Sequence, residues 1–447
     1  MKVRHSLVAT AAALASTLPA LGADFNVGTD TRFSISGFMA IGLKQASVQS
    51  VSSARANGVG PNSELRLDDN TSRIFFSGST KIAEGWNAVF QIGSRFLADV
   101  RPGDSGVGTV PVANISGWAD DDTWAGIAGP YGRLIFGKNS FWWPDTIGLP
   151  HISPALDGPG ENYRVWDVQG LSTFTFLNQA MVINKAGVIG SAYTLGITRS
   201  RNVLRYDSPN INKSGVDFAI AHTKNAVGAE QLFPGSATQP AGYARDYNAG
   251  GTTWARVRYN GNGLSLILSM LDQKLQGGTY TSTAFNGPLD TTGLRFGASY
   301  KFGMGFKVGF VYDQTTIANG VAPLNAGVTS WGQSVGDAKR TVMMVPVSYA
   351  MGDHMFHFTW AKAGNVSDAS DTGANQLCLA WDYALNKKTF IGIQYTTLKN
   401  DKNAHYNPFL LGTSFGASAS NPAGATQAAN INGEGFNQIQ LGLHFWF

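Results

Sequence analysis

Apolar and polar residues alternate along most of this chain. From Arg32 onward the period is two almost throughout, and amphipathic helical stretches are hard to find. The pattern is clearest at the end, Phe436 to Phe447 (FNQIQLGLHFWF). There Ile439, Leu441, Leu443, Phe445 and Phe447 alternate with Gln438, Gln440, Gly442, His444 and Trp446. Side chains of a strand point to opposite faces, so one face here is apolar and the other mostly polar. The first strand, RFSISGFMAIGLK, places Phe33, Ile35, Met39, Ile41 and Leu43 on one face. Leu294, Phe296, Ala298 and Tyr300 alternate with Arg295, Gly297 and Ser299, and the segments around 308–313, 377–383 and 391–396 behave alike.

Any one such segment fits a soluble sandwich; the connections separate the two readings. Short joins at Ala83-Glu84-Gly85, Gly129-Pro130-Tyr131-Gly132, Gly303-Met304-Gly305 and Asn386-Lys387 alternate with long ones. The long ones run over about 45–70, 98–119, 140–200, 224–251, 274–291, 316–339, 364–374 and 399–435. Short turns at one end and long loops at the other describe an all-β transmembrane antiparallel barrel, with periplasmic turns and extracellular loops. The segments between them number about 16, and termini at the short-turn end require an even count. Trp86, Tyr259, Tyr300, Tyr312, Tyr349, Tyr383 and Tyr395 read as an aromatic boundary near strand ends. Pro346, which has no N–H to pair, predicts a bulge or strand end.

Composition supports the barrel. Charged residues make up 14% of the chain, well below an ordinary soluble domain, while glycine (54) and tryptophan (11) are abundant. Lys2 and Arg4 precede an apolar run, Leu7 to Leu18, and then Pro19-Ala20-Leu21-Gly22-Ala23. This reads as an export signal over residues 1–23, cleaved after 22 or 23, ahead of a single barrel domain over 24–447. No later apolar run reaches the length of a membrane helix. Two of the cations lie in the signal, leaving 31 − 29 = +2, too little to imply nucleic acid. The single cysteine, Cys378, excludes an intramolecular disulfide and reads as packing filler in a strand.

Other chemistry fails on spacing. GRLIFGKN (132–139) misses a phosphate-binding loop because Asn139 stands where Ser or Thr is needed and the interior is strand-like. His354 and His357 are three apart in a strand and face opposite sides, so they do not share a metal. No Ser/Asp pair accompanies the histidines, and neither an enzyme nor a cofactor is expected. Asp120-Asp121-Asp122 reads as a solvated acidic cluster, with calcium at a loop mouth as the alternative.

TSRIFFSGSTKIAEGWNAVFQIGSRF (71–96), WAGIAGPYGRLIFGKNS (124–140), RNVLRYDSPN (201–210) and the terminal HFWF, in that order, resemble the general porins of Gram-negative outer membranes, in their betaproteobacterial type. The resemblance implies sixteen strands, a homotrimer amid outer-membrane lipid and lipopolysaccharide, and a third loop (about 140–200) folded into the lumen as a constriction. It also implies that Phe447 is read by the barrel-assembly machinery. Ser77 and Gly93 stand where the family usually has another arginine and a glutamate.

A pore selects by radius and by the charges at its narrowest point. Alternation turns Arg73 and Arg95 to the lumen. Arg133 and Lys138 lie at opposite parity, with the direction of Lys138 open where the strand enters the loop. The loop carries Asp145, Asp157, Glu161 and Asp167. These eight residues are the candidate constriction; the competing reading is ordinary solvated charge. Phe141, Trp142, Trp143, Tyr163 and Trp166 either pin the loop to the wall or stack on a solute. The expected function is passive diffusion of small hydrophilic solutes and ions through the outer membrane, with a slight lean to anions. The alternatives are a porin selective for a sugar or organic acid, and a structural or adhesive barrel.

Overall fold

The computed structural model describes residues 23–49, 63–68, 72–96, 118–119, 121–142, 179–183, 189–194, 197–223, 251–274, 291–317, 338–367, 370–404, 406 and 433–447. The strands in chain order begin with β1 (Ala23–Val27), β2 (Thr31–Gln49), β3 (Ser63–Asp68), β4 (Ser72–Ala83) and β5 (Trp86–Phe96). Next come β6 (Thr123–Gly129), β7 (Gly132–Phe141), β8 (Gln179–Ile183), β9 (Ile189–Thr194) and β10 (Ile197–Asp207). They continue with β11 (Val216–Thr223), β12 (Gly251–Gly261), β13 (Leu264–Lys274), β14 (Thr291–Lys301) and β15 (Phe306–Ile317). The last are β16 (Ala338–Met351), β17 (His354–Ala363), β18 (Ala374–Ala384), β19 (Thr389–Asn400) and β20 (Gly435–Trp446). All except β8 and β9, which pair only with each other, belong to one antiparallel sheet of 18 segments.

That sheet closes. β20 pairs with β19 on one side and with β2 on the other. The long strand β2 accounts for the segment count: β1 and β20 share one of its edges, and β3 and β4 share the other. Eighteen segments with two shared positions leave a barrel of sixteen, with no edge exposed. The chain end completes the seam through reciprocal backbone bonds between Gly37 and Phe447, at 3.0 and 3.1 Å.

Alternation decides which side each residue faces. Along β20, Ile439, Leu441, Leu443 and Phe445 are exposed, whereas Gln438, Gln440, His444 and Trp446 are buried. Along β14, Leu294 and Phe296 are exposed and Arg295 is wholly buried. Polar groups inside and apolar groups outside invert the plan of a water-soluble protein. Lipid, which makes no demand for hydrogen bonds, suits the outer face, while backbone pairing round a closed barrel satisfies the peptide groups. Among the described residues no helix is long and apolar enough to span a membrane.

Tight joins sit at one end. Between β12 and β13 the join is Asn262-Gly263 alone, both with positive φ (52° and 78°), the backbone that a two-residue hairpin needs. Aromatic side chains gather at this end: Tyr300, Phe302, Phe306 and Tyr349 form a chain of ring contacts at 4.8–6.4 Å, and Trp86 meets Tyr131 at 6.2 Å. Tyr312 and Tyr395 depart from the expected belt, since they lie in the middle of β15 and β19.

Three further expectations need correction. The first long connection begins at Gln49 rather than near 45, because β3 pairs back onto Gly42–Ser47 and lengthens the hairpin. The terminal strand, expected from its apolar row to pair with the first strand near Phe33 to Leu43, does pair with that strand but over Phe38–Gln49, while Phe33 and Ile35 lie opposite β1. Pro346 makes neither a bulge nor a strand end. It sits within β16 opposite Thr359, and the β15 ladder lapses beside it between Val308/Val347 and Val311/Met344 without a change of register. The missing N–H thus interrupts pairing on one side only.

Candidate functional site

The inner wall from β7 to β16 carries a repeated charge motif. Asp207 on β10 takes Arg133 of β7 at 2.9 Å and Arg205 of its own strand at 2.7 Å. Asp217 on β11 faces Arg258 at 3.0 Å and Arg256 at 3.6 Å, both from β12. Asp313 on β15 faces Arg295 of β14 at 2.9 Å and Arg340 of β16 at 3.7 Å. Each aspartate thus serves two arginines, and each triad keeps one net positive charge. Inward parity places them there: Arg256 and Arg258 share a face with buried Trp254, and Arg295 with buried Gly293 and Ser299.

Rings are interleaved with these cations. Trp254 lies between Arg205, at 5.1 Å from its ring centroid, and Arg256, at 5.5 Å. Arg295 stands 4.3 Å over the ring of Trp142 and donates from Nη1 to its carbonyl at 2.7 Å. Guanidinium groups over indole faces are favoured electrostatically. Trp142 immediately follows β7 with a positive φ of 68°, which bends the chain out of the strand path. With Phe141 it joins a buried cluster with Val203, Ala219, Ala221, Trp254 and Leu271, reaching across the inner face from β10 to β13. Contact with Arg295 extends that reach to β14.

Of the predicted constriction residues, Arg73 is buried and pairs with Asp121 at 2.9 Å. Asp122 accepts from Ser140 Oγ at 2.8 Å. Both aspartates are buried and engaged with protein partners, contrary to the solvated reading for Asp121 and Asp122, while Asp120 lies outside the described residues. Arg133 sits one residue inside the short-turn end of β7, at 5.0 Å over the Trp124 ring. Lys138 donates to the Ala119 carbonyl. The structure therefore spreads these cations over separate places: Arg73 beside Asp121, Arg133 in the Asp207 triad and Lys138 at the top of β7. The side chain of Arg95 and residues Asp145, Asp157, Glu161 and Asp167 lie outside the described residues. His357 bonds Asp382 at 3.1 Å on the inner face, while His354 stacks with Trp381 on the opposite face.

Sequence reasoning passed over Arg205, Arg256, Arg258, Arg295 and Arg340. The signal was present in part, since Arg295 occupies the polar face of its strand; what one strand cannot display is the neighbour that supplies the aspartate.

Comparison with known proteins bears on the wall as a whole. Residues 7–403 match the family model described as Gram-negative porin. The chain belongs to the Gram-negative porin family. Among solved structures, the anion-selective porin from Comamonas acidovorans is 18% identical, with a TM-score of 0.56 over 94% of this chain and 100% of that one. OmpT of Vibrio cholerae is 9% identical, at 0.52 over 94% and 99%. The DcaP channel of Acinetobacter baumannii is 12% identical, at 0.51 over 95% and 100%. At these identities the likeness is one of fold. No curated protein sequence matches. The porin family assignment makes this a non-enzymatic transport protein of the outer membrane, with a channel function built on a closed barrel of sixteen strands.

Proposed function

We propose that this porin is an open, water-filled channel through which small hydrophilic solutes and ions diffuse down their gradients, of the general betaproteobacterial type. One observation carries the reading: charged groups line the inside of the closed sheet while its outside is apolar. Arginine in hydrocarbon costs about 2–4 kcal/mol near midplane, so a wall of arginines belongs to a polar lumen. The three triads, each with a spare positive charge, favour anions over cations. Short turns then face the periplasm and long connections the exterior. The third connection, between β7 and β10, enters the lumen to narrow it. Two features support that path: Trp142 lies on β14, and β8 of the same connection lies against β16 across the barrel. Reversal potentials in a salt gradient test the charge reading; a cation preference would contradict it.

A solute-selective porin is the second reading, favoured by Trp254 held between two arginines. Saturable block by one class of organic acid would support it. The same family type implies a homotrimer in lipid and lipopolysaccharide, assembled by the barrel machinery through Phe447. Export by a cleaved signal fits the seam. Phe447 bonds the backbone of Gly37, and Ala23 lies opposite Ile35 on the same edge of β2. Cleavage after Gly22 brings the new amino group next to the terminal carboxylate, and the intact mass of the mature chain tests it.

A further inference from the structure

The strands β17 to β20 give the inner wall a different chemistry from the arginine-bearing side. Their two lysines, Lys362 and Lys399, stand on the exposed parity, and no lysine or arginine of these strands points inward. Their one inward acid, Asp382, is held by His357 at 3.1 Å. Amides and hydroxyls take the place of charge: Gln394 lies opposite Gln440, and Thr396 opposite Gln438. Gln394 Nε2 donates to Thr396 Oγ1 at 2.9 Å, and Gln438 Nε2 donates to Gln440 Oε1 at 3.1 Å. These bonds leave an acceptor, Gln438 Oε1, and a donor, Gln440 Nε2, without partners among the described residues. Both side chains are 3% exposed. Buried polar groups in that condition are costly until something bonds them.

The pair defines what fits. An anion uses donors alone and a metal cation acceptors alone, whereas a hydroxyl does both. Next toward the short-turn end, Gly442 lies opposite Gly392 on one side and Gly42 on the other. Three glycines abreast span two strand spacings, about 10 Å. Glycine inside a strand marks a place where a ligand approaches the backbone closely. Beyond that row His444 and Trp446 stack at 4.9 Å, and Phe38 lies 5.0 Å from each. Amides on one border and rings on the other match the hydroxyl rim and the C–H face of a sugar ring.

We propose that the inner face of β19, β20 and β2, centred on Gln438 and Gln440 beside the glycine row, is a binding subsite for uncharged sugars. The inference deepens the channel reading, because it rests on solute reaching the inner face. Maltose is the probe, and sodium acetate is the charged comparison. The measurement is saturation-transfer NMR on the full-length protein, folded in a detergent without a sugar headgroup, which needs no conduction. Maltose gives a saturable signal with the wild type, and acetate does not displace it. Gln438→Leu together with Gln440→Leu removes the mutual bond and both unpartnered atoms at once, so folding is kept. That variant weakens the apparent maltose affinity by about tenfold or more. Gln440→Glu keeps the acceptor that Gln438 uses, faces Lys44 across the strand pair, and exchanges only the unpartnered nitrogen for oxygen. It also weakens maltose binding. No saturable signal with the wild type would mean that water alone satisfies the glutamines, and would overturn the proposal. So would displacement by acetate, or wild-type affinity in either folded variant. A protein that conducts but does not bind maltose loses this subsite alone; one that binds maltose without conducting loses the channel reading.

Discussion

At the scale of single residues, the inner wall is held by aspartates that each face two arginines. Asp207 receives both Arg133 and Arg205, and its replacement by Asn removes the negative charge and one of the two acceptor oxygens that they share. Asp207→Asn should lower unfolding free energy by about 2 kcal/mol, measured by denaturant titration of the barrel in detergent. An unchanged midpoint would mean that water satisfies both arginines equally well. Which residues faced inward was legible in the sequence: Arg295 stands between Leu294 and Phe296, and parity alone assigns it. Partnership was not. Asp313 and Arg295 are eighteen positions apart and meet because β14 and β15 form a hairpin of fixed register. Asp121 and Asp122 mislead for the same reason, since an acidic run reads as solvated until Arg73 and Ser140 are brought to it from other strands.

At the scale of an element, the strand is a two-sided object and its sides tolerate different changes. Leu441 lies mid-strand in β20 on the exposed apolar face, and its neighbour Gln440 is buried on the inner one. Leu441→Arg should cost about 2–4 kcal/mol of stability in lipid vesicles, whereas Gln440→Arg should cost markedly less. Equal costs would contradict the assignment of faces. The period of two made most strands readable, but not β3, β8 and β9, which lie inside stretches read as long connections, nor where a neighbour's pairing lengthens a strand. β2 runs to Gln49 because β3 supplies a partner for Gly42–Ser47, and the polar stretch there looked like loop. Pro346 shows the limit from the other side. Its local chemistry forbids a hydrogen bond, yet β17 holds the strand in place, and only the β15 ladder opens.

At the scale of the whole molecule, closure of the sheet sets the lumen. The count of sixteen follows from the alternation of short and long joins, so it was open to sequence reading. The path of the third connection was not, because it depends on contacts between residues far apart in the chain. Gly293 offers a direct probe of that path. A Cβ built there would lie 2.6 Å from Trp142 Cζ2, so the wall reserves space for the indole. Gly293→Leu should lift Trp142 from β14 and raise single-channel conductance if the connection narrows the lumen; an unchanged conductance would place the narrowing elsewhere. The central claim, that the charged inner wall bounds a water-filled path, is tested most directly by planar-bilayer recording of the purified, folded protein. The account predicts ohmic current steps, grouped in threes for a trimer, with a reversal potential displaced toward that of the anion. A well-folded, heat-modifiable protein that inserts without conducting would contradict it.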